Sequence, residues 1–185
     1  MNNLSIKNKL ILLLFLPILG LIALAVNISL DRYNTYNQYN MLNNSVLLST
    51  KITSLVHELQ KERGMTAGFL GSKGKKFKDE LPRQRNLTNT KKEEFYSFLK
   101  TIKAINYGKN YEKLVDDSLD RLKKLDSKRD EVSSMNISGK VAISYYTNMN
   151  GSFLEIVRKG SSFSPNSDMA QQLSSYTNFL LAKER

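Results

Sequence analysis

Residues 57–88 read HELQKERGMTAGFLGSKGKKFKDELPRQRNLT, and the fold turns on where this stretch stops being helix. It enters as helix, because Leu55, Val56, Leu59, Phe69 and Leu70 share one apolar stripe at three- to four-residue spacing. Small residues then crowd in: Gly64, Ala67, Gly68, Gly71 and Gly74. A mid-helix glycine costs about 1 kcal/mol relative to alanine, so Gly64 and Gly68, four apart, need a reason. Close approach of a neighbouring helix against Gly64, Ala67 and Gly68 is one. Arg63 sits beside that face, and its planar fork of five donors suits a planar oxyanion. Spacing alone leaves two readings open: an arginine held between helices as a small-anion site, or a fraying helix end with a solvated arginine.

Downstream, residues 71–76 (GSKGKK) read as a turn. A helix resumes from Lys78 to Tyr107, with Pro82 in its first turn and Phe95, Phe98, Leu99, Ile102 and Ile105 on one face. Asn106-Tyr107-Gly108 is a stop signal. A third helix carries Tyr111, Val115, Leu122, Leu125 and Val132 at bundle spacing, with Leu114 and Leu119 widening the stripe. Ser138 is the expected N-cap of a fourth, from about residue 140 to 157, with Val141, Tyr145, Met149 and Ile156 inward. A fifth is expected to start at Pro165–Asp168, carrying Met169, Leu173, Tyr176 and Leu180. It is still running at Ala182-Lys183-Glu184-Arg185, so the domain is expected to continue past the last residue. No alternating strand bounded by turns occurs. The fold class is all-α, an antiparallel helical bundle.

Upstream, no Gly or Pro occurs between Leu21 and Arg63, and Leu42, Val46, Ile52, Val56 and Leu59 recur at close to 3.5 residues. The simplest expectation is one rod. Its beginning, residues 10–26 (LILLLFLPILGLIALAV), holds no charge, and with residues 27–30 it reaches the roughly 20 residues that cross a bilayer. A signal peptide has a shorter apolar core, about 7–15 residues, and a cleavage site; here the run flows into more helix. It reads as a retained transmembrane helix, 10–30, with Pro17 tolerated inside it. Lys7 and Lys9 place residues 1–9 in the cytoplasm by the positive-inside rule. Residues 31–185 then form an extracytoplasmic (periplasmic) sensor domain, with Tyr33 and Tyr36 at the interface.

The chain has a formal charge of +11, no cysteine and one histidine, His57. Disulfides, thiolate zinc sites and thiol nucleophiles are excluded, and no multi-histidine metal cluster can form. The charge is concentrated in residues 61–92, where ten basic residues face Glu62, Asp79 and Glu80, a surplus of seven. Outside the cytoplasm nucleic acid is not a partner, so an anionic ligand is the better account. Lysines 73–78 read as a solvated loop; Arg63, Arg83 and Arg85 are the candidates for direct contact. No phosphate-binding glycine loop, paired carboxylates or hydrolytic triad is present, and neither catalysis nor a cofactor is expected.

The run HELQKERGMTAGFLGSKG, followed by Phe77, Leu81, Gln84-Arg85 and Thr88, resembles the opening signature of the NIT domain, the nitrate- and nitrite-sensing domain of bacterial receptors. LDSKRDEV (Leu125, Arg129, Val132), SYYTNMN and the closing YTNFLLAKER follow in the family's order. The lead-in KNKLILLLFLPILG is also similar to the first membrane span of chemotaxis receptors. The resemblance implies an all-helical sensor that binds nitrate or nitrite through arginines from two helices. Arg63 matches the arginine of the ERG motif. Arg185, at the end of AKER, is the second ligand or its neighbour. The resemblance further implies an output module, whether a methyl-accepting chemotaxis domain, a histidine kinase or cyclic-dinucleotide enzymes, and because single-span receptor stems commonly pair, a homodimer is expected. The competing readings are a helical-bundle receptor for another small anion or organic acid, and a membrane-anchored dimerisation stem that senses nothing.

Overall fold

The computed structural model describes residues 6–102 and 108–163, together with 171, 172, 174–176, 178, 179 and 182. Every described element is helical. The first helix, α1, runs Ile6–Gly71 and includes Pro17. It passes through two compact units, Met1–Asn40 and Met41–Arg185. In the first unit the apolar side chains from Leu10 to Leu30 are all exposed, and the segment is long and apolar enough to cross a membrane.

In the second unit α1 is the first of four bundle members among the described residues. Its inward positions are Leu42, Ser45, Leu48, Ile52, Leu55, Val56, Leu59, Glu62 and Thr66. Val46, expected on this stripe, is exposed; Ser45 and Leu48 face inward instead. The helix closes in a Schellman motif: the Gly74 N–H donates to Phe69 O (2.8 Å) and the Lys73 N–H to Leu70 O (3.1 Å). The left-handed position falls on Lys73 (φ 53°), not on glycine. Phe77 (φ 60°) then folds back over Gly68, where a Cβ would lie 2.4 Å from the ring.

The second helix, α2 (Glu80–Ile102), holds Pro82 in its first turn and buries Leu81, Gln84, Thr88, Phe95 and Ile102. Gln84 donates to Glu58 on α1, and Lys51 pairs with Glu94, so α2 runs antiparallel to α1. The third helix of the sequence reading is two helices, α3 (Lys109–Lys123) and α4 (Leu125–Ser133), hinged at Lys124. The Tyr145 hydroxyl donates to the Arg121 carbonyl (2.7 Å), and the Lys124 N–H takes the same acceptor. A side chain inserted into the i→i−4 ladder is a standard cause of such a break. The C-terminus of α4 repeats the α1 solution, with Met135 (φ 57°) in the left-handed position. Its side chain packs over Gly74.

The next helix, α5 (Gly139–Gly160), starts at the expected N-cap: the Ser138 hydroxyl accepts from the Val141 N–H. Met149 and Ile156 face inward as expected, but in the first two turns the inward face is one position further on. Ala142, Tyr146, Met149, Phe153, Ile156 and Val157 are buried, while Val141 is exposed and Tyr145 only half-buried. Gly160 approaches Ser45 while Thr147 approaches Arg63, so α5 is antiparallel to α1. The main core centres on an edge-to-face pair, Phe95 and Phe153, with ring centroids 5.4 Å apart. A smaller apolar cluster of Leu81, Val132 and Ala142 lies towards the Gly71 end, with Met65, Phe69, Leu70 and Ile137 around it. Ile105, Asn106 and Tyr107 and the start of the expected fifth helix lie outside the described residues. So do Met169, Leu173, Leu180 and Arg185; Tyr176 is described and exposed.

Candidate functional site

Glu62 and Arg63 are consecutive on α1, so a rotation of about 100° separates their side chains. That rotation sends Glu62 to the centre of the bundle and Arg63 to its rim. Glu62 has no exposed surface. Arg129 of α4 clamps it through both edges of its fork, Nε donating to Oε1 (2.7 Å) and Nη2 to Oε2 (2.8 Å). The Tyr146 hydroxyl of α5 donates to Glu62 Oε1 at 2.8 Å. The remaining Arg129 donor, Nη1, reaches Asn89 Oδ1 (2.7 Å) and Asp126 Oδ1 (2.9 Å). Burial, and then the negative Glu62 beside it, push the Tyr146 phenol far above its ordinary pKa. It stays a donor.

This polar layer separates the two apolar clusters. On α1, Leu59 lies on the main-core side and Met65 on the other. Arg85, expected as a direct anion contact, belongs to the layer instead. Its Nη1 donates to Ser133 Oγ (2.8 Å), its Nη2 to the Arg129 carbonyl (3.2 Å), and its Nε stands 3.9 Å from Glu62 Oε1. Arg83 is exposed on α2, and so are Lys73, Lys75, Lys76 and Lys78 in the loop, as expected of a solvated face.

Arg63 is half-buried, and its Nη1 donates to Thr147 Oγ1 of α5 at 2.8 Å. Thr147 borders a shallow open groove between the two helices, lined from α1 by Ala67, Leu70 and Gly71. From α5 come Gly139, Lys140, Ile143 and Ser144. Arg63 itself lines a smaller depression with His57, Gln60 and Lys61. The small residues around Arg63 do not all serve close approach within this chain. A Cβ at Gly64 would meet nothing within 4 Å, and Gly68 makes room for the Phe77 ring rather than for a helix backbone. Ala67 is half-buried in the groove wall. Among the described residues no cluster of His, Asp and Glu is arranged to hold a metal ion.

Sequence reasoning singled out Arg63 and missed its partner. Thr147 stands in SYYTNMN one residue after the buried Tyr146, and a hydroxyl at that place carries no period of its own. Glu62 was missed for another reason. In the sequence it is one charge in the run Lys61-Glu62-Arg63, although it continues the inward series 55, 59, 62, 66. Arg129 falls on the matching series 125, 129, 132 of α4.

The profile of the nitrate- and nitrite-sensing family, NIT, matches residues 54–185, and the chain belongs to that family. Among solved structures it is similar to the NasR transcription antiterminator, with a TM-score of 0.76 and 21% identity. The likeness covers 85% of this chain and 43% of that one, and at such identity it shows the shared helical fold. No curated protein matches it.

Proposed function

We propose that this member of the NIT family is the ligand-binding part of a membrane-anchored receptor, with nitrate or nitrite as its ligand and Arg63 as a direct contact. The observation that carries the reading is the family match over residues 54–185, which includes the ERG motif, whose Arg63 is bonded to Thr147 at the edge of the α1–α5 groove. Nitrate spreads one charge over three coplanar oxygens, and a guanidinium edge offers it two parallel donors. Arg185, outside the described residues, is the proposed second ligand. Gly64, Ala67 and Gly68 lie beside Arg63 on α1 and are not anion contacts in this reading.

The membrane assignment rests on the apolar span of residues 10–30 and on Lys7 and Lys9 before it. In this reading residues 1–9 are cytoplasmic and residues 31–185 extracytoplasmic. The chain pairs as a homodimer, and chemotaxis or kinase machinery receives the signal. The protein is a binder and not an enzyme. A ligand shifts a helix equilibrium only by its differential affinity for the two states, so anion binding must favour one arrangement of α1 and α5.

Calorimetric titration of the full chain in nanodiscs with nitrate, nitrite and chloride tests the reading, alongside Arg63→Ala. Saturable nitrate or nitrite binding, absent for chloride and lost in the variant, is the expected result. An isotherm unchanged by Arg63→Ala would remove Arg63 from the site. Binding only of a carboxylate such as malate would move the function to an organic-acid receptor.

A further inference from the structure

Two links join α1 to α5 side by side: Tyr146 to Glu62 and Arg63 to Thr147, both at a sequence offset of 84. Their surroundings differ. The first is buried, and Arg129 holds its acceptor from the opposite side. The second lies at the rim, where Thr147 also borders the open groove. The Thr147 oxygen accepts from Nη1 at 2.8 Å, so it occupies the Arg63 N–H that points towards the groove-lining Thr147. Two acceptors cannot both take that N–H in a well-directed bond.

From this geometry we infer that Thr147 is the residue that sets the anion threshold of the site, by competing with the ligand for Nη1 of Arg63. The inference rests on Arg63 being the anion contact proposed above. In the ligand-free state the Thr147 hydroxyl stands in for one anion oxygen. Binding exchanges that neutral acceptor for a charged one and opens the rim link between the helices. The Tyr146–Glu62 link remains closed, because its carboxylate is held by Arg129 and has no access to the groove. The change therefore begins at the rim of α5 and leaves the buried layer intact. Thr147 acts through Arg63; it is a positioning residue and not an anion ligand.

The test is nitrate and nitrite titration of the full chain in nanodiscs, comparing the parent with Thr147→Val, Thr147→Ala and Thr147→Ser. The two variants without an acceptor should bind about three- to tenfold more tightly, the range that one net hydrogen bond supplies. Thr147→Ser keeps the oxygen and should stay within about twofold of the parent. Melting without anion is the second readout. Competition predicts a lower Tm together with tighter binding in the acceptor-free variants, whereas a purely structural Thr147 would lower both stability and affinity. Unchanged affinity in Val and Ala variants that fold overturns the inference and leaves Arg63 as the contact. Weaker binding restored by Ser makes Thr147 a direct ligand and also overturns it. Absence of binding by the parent is a separate result, visible before any variant is compared, and it overturns the anion reading of Arg63 with everything built on it.

Discussion

Two layers of the same bundle are held together by opposite means. Around Phe95 and Phe153 the interior is ring against ring, with Leu55, Leu122 and Met149 closing the space. Nearer the Gly71 end, Glu62, Arg129, Tyr146, Asn89 and Asp126 form a hydrogen-bonded layer. Apolar contact is non-directional and rewards any arrangement that excludes water. A bidentate ion pair rewards one geometry and is costly in every other. The first layer supplies cohesion; the second fixes how the helices are aligned.

The strongest test of that contrast is to damage each layer in turn. Phe153→Ala and Glu62→Ala should each cost about 3–5 kcal/mol in urea denaturation, the first by opening a cavity and the second by leaving the buried Nε and Nη2 edge of Arg129 without its carboxylate. Their repairs should differ. Replacing Glu62 and Arg129 by leucine and Tyr146 by phenylalanine together should restore parental stability, because apolar replacement of a buried ion pair is often neutral or better. A combined variant as unstable as Glu62→Ala would mean that the layer is a net source of cohesion, and the contrast would collapse.

A smaller effect isolates the phenol. Tyr146→Phe should cost about 1.5–3 kcal/mol near neutral pH, one hydrogen bond to a charged acceptor. Its pH dependence has a definite sign. The folded state holds the Tyr146 proton above the ordinary value of 10.0, so the phenol's contribution is intact below about pH 10 and is lost as the pH rises beyond it. Above that point the parent should lose about 1.4 kcal/mol per pH unit more than Tyr146→Phe. Parallel stability curves for the two would show that the phenol is not shielded as the structure has it.

The smallest effect lies outside both layers. Gly64→Ala should stabilise the bundle by about 0.5–1 kcal/mol, because a Cβ there meets nothing and the unfolded chain loses freedom. Gly68→Ala should do the opposite, since its Cβ would run into the Phe77 ring. Destabilisation by Gly64→Ala would point to a packing partner at that face, such as a second copy of the chain.

The apolar layer was legible in the sequence and the polar one was not. Leu42, Ile52, Val56, Leu59, Phe95, Leu122, Leu125 and Val132 are inward as their spacing required. Periodicity places a stripe only to within a neighbouring position. That is why Val46 was expected where Ser45 and Leu48 are found, and Val141 and Tyr145 where Ala142 and Tyr146 are. Glu62 was hidden because a charge in a sequence is read as solvated, and its partner is 67 positions away. Arg85 was misplaced in another way: expected as a direct anion contact, it is bound instead to Ser133 and to the Arg129 carbonyl. Of the site itself, the sequence pointed to Arg63 and to the family. The hydroxyl that Arg63 meets follows from tertiary structure alone.

The ladder of bonds through Glu62 also limits how α1 can travel within the bundle. A ratchet of one helical turn, about 5.4 Å, would carry Glu62 beyond reach of both Arg129 and Tyr146 and leave Arg129 with only Asp126 as its counter-charge. Rotation of a few degrees, or a shift well below one turn, keeps the clamp closed. The layer therefore behaves as a detent: displacements of α1 are small, and each returns to the same notch.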